Sequence, residues 1–120
     1  MNNETKRYIY RVNEPDSTSS LAIMAIEITS GLSWEDISSK KRHRHLTFLR
    51  MIHAYICRNC DMPLALMDIG AIQHRGHADI LHLLRRYDDL YEYDKEFKMM
   101  ADAAWAKFRE LRALYRAEWM

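Results

Sequence analysis

Apolar residues recur along this chain at helical spacing, in stretches punctuated by residues that start and stop helices. Ser17, Thr18, Ser19 and Ser20 offer N-caps, and Leu21, Met24, Ala25 and Ile28 fall on one face before Gly31 ends the run. Ser33 then caps a short turn over residues 34–38, from which Trp34 and Ile37 are expected to bury. Residues 40–45 contain no apolar side chain and predict a solvated loop. Leu46, Leu49, Ile52, Ala54 and Ile56 follow as a helix buried on one side and ending near Asn59.

Asp61 and Pro63 read as the opening of a further helix, with proline in its first turn, which carries Leu64, Leu66, Met67 and Ile69 to about Ile72. Residues 73–76 break it. A helix over 77–90 is expected next, with Ile80, Leu81, Leu84 and Tyr87 inward and Arg85 and Arg86 outward. After an acidic connection (Asp88, Asp89, Glu92, Asp94), the last helix runs over about 94–119. Its apolar positions Phe97, Ala101, Ala104, Phe108, Leu111 and Tyr115 alternate by four and three, the spacing of a helix-pairing seam. That seam packs on the chain's own core or forms a homodimer contact anchored by Trp105 and Trp119. Residues 1–16 are polar, and the alternation Tyr8-Ile9-Tyr10-Arg11-Val12 has no partner strand, so they read as a tail.

Composition agrees with an all-α class: 120 residues, 48% of them hydrophobic, with only 3 Gly and 2 Pro, make one helical domain. Cys57 and Cys60 have half of a metal or redox spacing, but no second Cys/His pair stands at ligand distance, so they read as structural thiols. The chain shows no secretory leader and no long apolar span, and a reducing compartment, the cytoplasm, is expected, with no membrane partner. His53 and His82 are expected in the core, and Met62, Met67, Met99 and Met100 as gap fillers. Gly31, Gly70 and Gly76 are too scattered to build a phosphate-binding loop. Neither catalysis nor a cofactor or metal is expected; a small thiol or metal enzyme is a minor alternative.

A formal net charge of +1 means that affinity for nucleic acid must come from a local patch. One exists. No acidic residue stands between Ile37 and Asp61, whereas Lys40, Lys41, Arg42, Arg44, Arg50 and Arg58 do. The patch is followed by two short helices with a four-residue, glycine-containing join, the organisation of a helix-turn-helix.

The order of these parts is more specific than any one of them. The loop Ser39-Lys40-Lys41-Arg42-His43-Arg44 feeds an amphipathic helix, and then a turn and helix reading Arg75-Gly76-His77-Ala78-Asp79-Ile80-Leu81-His82. This resembles the C-terminal domain IV of the bacterial replication initiator DnaA, a small helical fold related to the Trp repressor. The ungapped similarity covers residues 32–87, and a weaker one residues 21–104, which sets the expected divisions at 1–16 (tail), 17–104 (helix-turn-helix domain) and 105–120 (extension of the last helix).

The resemblance implies double-stranded DNA binding without an ATPase, in replication initiation or transcription control. It assigns Arg42 to the minor groove, Arg44 and Arg50 to further DNA contacts, His77 to the start of the recognition helix and Arg58 to a basic site on the backbone-facing helix. Arg75, Ala78 and Asp79 complete the expected contact set. Gly76 stands where the family has Asp, Ala78 and Asp79 where it has two threonines, and Met51 where it has Gln. Ala78 suits a thymine methyl and Asp79 a cytosine amino group, so these departures point to a shifted sequence preference. The alternative is a helical interaction adaptor or dimerisation module without DNA binding. Charge placement separates the two readings: a DNA module keeps the acidic segment 88–94 away from the basic loop, and an adaptor has them on one face.

Overall fold

The computed structural model describes residues 17–119, with side chains through Tyr115. The tail expected over residues 1–16 lies outside the described residues. Six helices and no strand make up this part of the chain: α1 (Thr18–Ser30), α2 (Trp34–Ile37), α3 (Arg44–Asn59), α4 (Leu66–Gln73), α5 (His77–Tyr93) and α6 (Lys95–Trp119). None is long and apolar enough to cross a membrane.

The capping chemistry of the sequence sets most boundaries. Ser17 Oγ accepts from the Ser20 amide at 3.0 Å and starts α1, and Gly31, at φ 74°, ends it by donating its amide to the Glu27 carbonyl at 2.9 Å. Ser33 Oγ accepts from the Asp36 amide at 3.2 Å, while Glu27 Oε2 accepts from the Trp34 amide at 2.8 Å. Thus α1 caps α2. Asp94 both closes α5 and opens α6, its Oδ1 accepting from the Phe97 amide at 2.9 Å, so one residue joins the two longest helices.

Helix α3 is the centre of the fold and touches all five other helices. It is not buried on one side only, as its spacing suggested: Leu46, Phe48, Leu49, Met51, Ile52, Ala54, Ile56 and Cys57 are all buried, since neighbours surround it. Helix α6 lies against α1, α3 and α5 and buries Phe97, Ala101, Ala104, Phe108 and Leu111. The seam therefore packs on the chain's own core. Phe97 is fully buried, with its ring edge-on to Phe48 (5.1 Å) and Tyr87 (5.2 Å). A phenylalanine removed from water in this way contributes about 2–3 kcal/mol. Packing continues past residue 104, through Phe108, Leu111 and Arg112.

Other expectations shift. The buried face of α1 is Leu21, Ala22, Ala25 and Ile26, with Met24 half-buried and Ile28 exposed. In α5 the buried positions are Ile80, Leu83 and Tyr87, whereas Leu81 and Leu84 are half-buried and His82 is exposed. Helix α4 begins at Leu66, later than Pro63 suggested, because the intervening chain folds back onto the end of α3: the Leu64 amide donates to the Cys57 carbonyl at 2.9 Å. Met62, Met67 and Met99 are exposed and fill no gap.

The α4–α5 turn is tight. His74 takes a left-handed conformation (φ 58°), and the Arg75 amide donates to the Gly70 carbonyl at 2.8 Å. A Cβ on Gly70 would lie 2.4 Å from the Arg75 carbonyl oxygen, so only glycine admits this close approach.

Candidate nucleic-acid interface

Two arginines from different elements hold the basic loop. Arg50, 5% exposed, donates from Nε to the Ile37 carbonyl (2.6 Å) and from one terminal nitrogen to the carbonyls of Ser39 and Lys41 (2.7 Å each). Arg75, in the α4–α5 turn, donates to the Ser39 carbonyl (2.8 Å), the Gln73 carbonyl (2.8 Å) and the Ser38 carbonyl (3.4 Å). Burial, reinforced by the nearby charge of Arg75, lowers the Arg50 guanidinium to about 10, and burial also lowers Arg75. Both side chains therefore serve the backbone. Arg50 is not at the surface where a DNA contact was expected.

Loop residues with their carbonyls fixed inward turn their side chains outward, and Lys40, Lys41 and Arg42 are exposed; Lys41 makes one long pair with Asp36 at 3.5 Å. Ser38 and Lys40 share a cleft of about 500 Å³ with His74, Arg75, Gly76 and Asp79. The basic loop and the first turn of α5 thus form one concavity. Gly76 caps α5 without a side-chain hydrogen bond, and His77, Ala78 and Asp79 are exposed at its start. The first amides of such a helix face outward with no partner inside the helix. Asp79 brings a carboxylate into the same cleft, close enough to favour the charged form of Arg75.

The other end of the loop is held by acidic groups. Arg44 pairs with Asp94 (2.5 Å) and Glu96 (2.6 Å) and lies over the Phe48 ring, and His45 Nε2 meets Glu96 Oε1 at 2.5 Å. The Glu96 pairing raises Arg44, and the Arg44 and His45 hydrogen bonds lower the Glu96 carboxyl. The acidic segment is therefore divided: Asp94 meets the basic loop, while Asp88 lines a different cleft with Tyr55 and Trp105. Arg58 stands apart at the far end of α3, 14 positions or about 21 Å from Arg44 along the axis, and donates to the Leu64 carbonyl at 3.1 Å.

A buried polar group lies behind the loop. Gln73 Nε2 donates to the Arg50 carbonyl (3.0 Å) and to His53 Nδ1 (2.9 Å), and His53 Nε2 lies 3.4 Å from Cys57 Sγ. Two acceptors fix the amide orientation and leave the proton on Nε2 of a neutral imidazole. Burial drives His53 down to about 3 and pushes the Cys57 thiol up. Cys57 and Cys60 are both free, and among the described residues no three His, Cys, Asp or Glu side chains are grouped to hold a metal ion.

Comparison with protein-family models, with curated proteins and with solved structures gives no match for this chain. The resemblance to DnaA domain IV rests on the residues alone.

The sequence pattern did not announce Glu96 and His45 as partners in the loop clamp. Part of the signal was present, since Asp94 followed three positions later by Phe97 is an N-cap pattern that places Glu96 in the first turn of α6.

Proposed function

We propose that the chain binds duplex DNA through the basic loop and the first turn of α5. The observation that carries this reading is the shared cleft: a loop pinned by Arg50 and Arg75 presents Lys40 beside Gly76 and Asp79, with Lys41 and Arg42 exposed next to it. Lys40, Lys41 and Arg42 engage phosphates and the minor groove, while His77, Ala78 and Asp79 probe base edges in the major groove. The loop is built in advance, so little ordering entropy opposes contact. By the resemblance to DnaA domain IV, the work belongs to replication initiation or transcription control and runs without ATP.

A second reading is favoured by one observation. Asp94 and Glu96 neutralise Arg44, and Asp79 places negative charge in the cleft. In an adaptor these groups form a mixed-charge surface for a protein partner.

The test is binding of labelled random duplex DNA at several salt concentrations, beside a Lys40→Ala, Arg42→Ala variant. Three exposed cations predict a log-log salt slope of about −3, reduced by about 2 in the variant. Absence of binding at ~50 mM salt, where non-specific contact is enhanced, leaves the adaptor.

A further inference from the structure

A second cleft, of about 530 Å³, lies between α3, α5 and α6 and is lined by Tyr55, Tyr87, Tyr91 and Trp105 together with Asp88, Asp102, Asn59 and Arg109. It is separate from the basic loop: Asp88 follows Gly76 by 12 positions on α5, or about 18 Å. Its chemistry is therefore independent of DNA binding.

The rings form a fixed array. Tyr55 and Tyr87 stack at 3.7 Å with planes 6° apart, Tyr91 continues the pile at 5.8 Å, and Trp105 stands edge-on to Tyr55 at 6.1 Å. Their polar ends lock the geometry, since Trp105 Nε1 donates to the Tyr87 hydroxyl (3.3 Å) and the Tyr91 hydroxyl donates to Asp102 (2.7 Å). A preorganised group of ring faces beside carboxylates attracts cations, because the quadrupole of each ring presents a negative face.

The chain's own side chains show this attraction. Lys98 Nζ lies 4.9 Å from the Tyr91 centroid and the Arg109 guanidinium 5.0 Å from that of Trp105. Lys98 also pairs with Asp102 at 3.0 Å. Among the described residues, by contrast, no cation lies over Tyr55 or Tyr87, and Asp88 has no ion-pair partner. Arg109 is the cation of this cleft and covers Trp105, while Asp88 has no ion pair and Tyr55, with Tyr87 buried behind it, carries no cation over its ring. The negative charge of Asp88 is felt at Tyr55, whose hydroxyl is raised first by burial and then by that charge.

We propose that this cleft binds an organic cation, an alkylammonium or guanidinium group, seated against Tyr55 with Asp88 as its counter-charge, beside the Arg109 guanidinium that covers Trp105. The group reaches it either on a free polyamine or as the Lys or Arg side chain of a protein partner. The chemistry recognised is the same.

Heteronuclear NMR of the whole chain, following the Trp105 indole N–H, tests the proposal with two probes: spermidine and the capped peptide Gly-Arg-Gly. Sodium and magnesium chloride at matched ionic strength serve as controls. A saturable shift with half-saturation in about the millimolar range is expected, weakened about fivefold or more by Asp88→Asn. Tyr55→Leu removes the ring face; should it fail to fold, Asp88→Asn, an exposed substitution, decides alone. Saturation by spermidine only identifies a free polyamine, by the peptide only a protein side chain, and by both the shared group. The absence of a saturable shift up to about 20 mM of either probe, well beyond the expected half-saturation, overturns the proposal. So does an equal shift with magnesium, or an unchanged response in Asp88→Asn.

Discussion

Arg44, the first residue of α3, reaches across to Glu96 in the first turn of α6, Nη1 to Oε2 at 2.6 Å, with its other terminal nitrogen on Asp94 at 2.5 Å. The carboxylates occupy the place a phosphate would take on this guanidinium. Arg44 is 56% and Glu96 46% exposed, so solvent and salt screen this pair and an incoming anion competes with Glu96 for the guanidinium. Glu96 is held below its usual range first by the Arg44 hydrogen bond. A depressed carboxyl contributes above its unfolded pKa and loses that contribution as pH falls through the folded one. The clamp is thus closed at neutral pH. Asp94→Asn combined with Glu96→Gln removes both charges and keeps a capping side chain at the start of α6. It is expected to raise duplex-DNA affinity about three- to tenfold at ~50 mM salt and to steepen the salt slope by about 1. Titration of labelled duplex checks this, and unchanged affinity places Arg44 outside the interface.

Arg50 holds the Ile37 carbonyl at the end of α2 and the Ser39 and Lys41 carbonyls of the loop at 2.6–2.7 Å from a buried position. Replacing it by methionine keeps the stem and leaves those acceptors without their charged donor, at a cost of about 2–4 kcal/mol in urea unfolding. Arg50→Lys recovers only part, since an ammonium cannot span the same fork. Amide exchange over residues 38–42 rises in both variants.

The α4–α5 turn predicts opposite effects four positions apart. Gly70→Ala drives a Cβ to 2.4 Å from backbone, with no flexible side chain to yield, and is expected to cost about 3 kcal/mol or more. His74→Gly relieves a left-handed residue (φ 58°) and is expected to gain about 0.5–1 kcal/mol. Thermal unfolding of the two single variants reads both signs.

His53 gives the fold an acid sensitivity. With its folded pKa depressed to about 3 by burial, the imidazole stays neutral while the unfolded chain takes up a proton below about pH 6.5. Stability from this group is full above that value and falls by about 1.4 kcal/mol per pH unit on the way down to the folded pKa. Unfolding free energies at pH 7, 6, 5 and 4 are expected to show a slope that His53→Gln lacks; equal slopes would show that His53 is protonated in the folded chain.

Local chemistry is legible in the sequence. Ser17, Gly31 and Ser33 act as the caps their positions announced, and the four-three spacing from Phe97 to Leu111 is the buried stripe of α6. Pro63 misled because a proline suits both a first helical turn and an extended return over the end of α3. The arginines divide more deeply. Arg42 and Arg50 look alike in sequence, yet one is exposed to solvent and the other reaches into carbonyls of a loop up to 13 positions earlier. Arg44 finds its partners 50 and 52 positions later. The tyrosine cleft needed three helices to assemble, and spacing shows only its parts: Tyr87 and Tyr91 share one face of α5, as Trp105 and Arg109 share one of α6.

Arg50 and Arg75 are like charges drawn onto the same Ser39 carbonyl, and the charge of Arg75 makes the Arg50 proton easier to lose. Carbonyl dipoles, with the Asp79 carboxylate to one side, offset that repulsion. On the proposed reading an anion bound at the loop would relieve it further and couple occupancy to folding: sulfate or a nucleic-acid phosphate is expected to raise the melting temperature with concentration, as a ligand selective for the folded chain does.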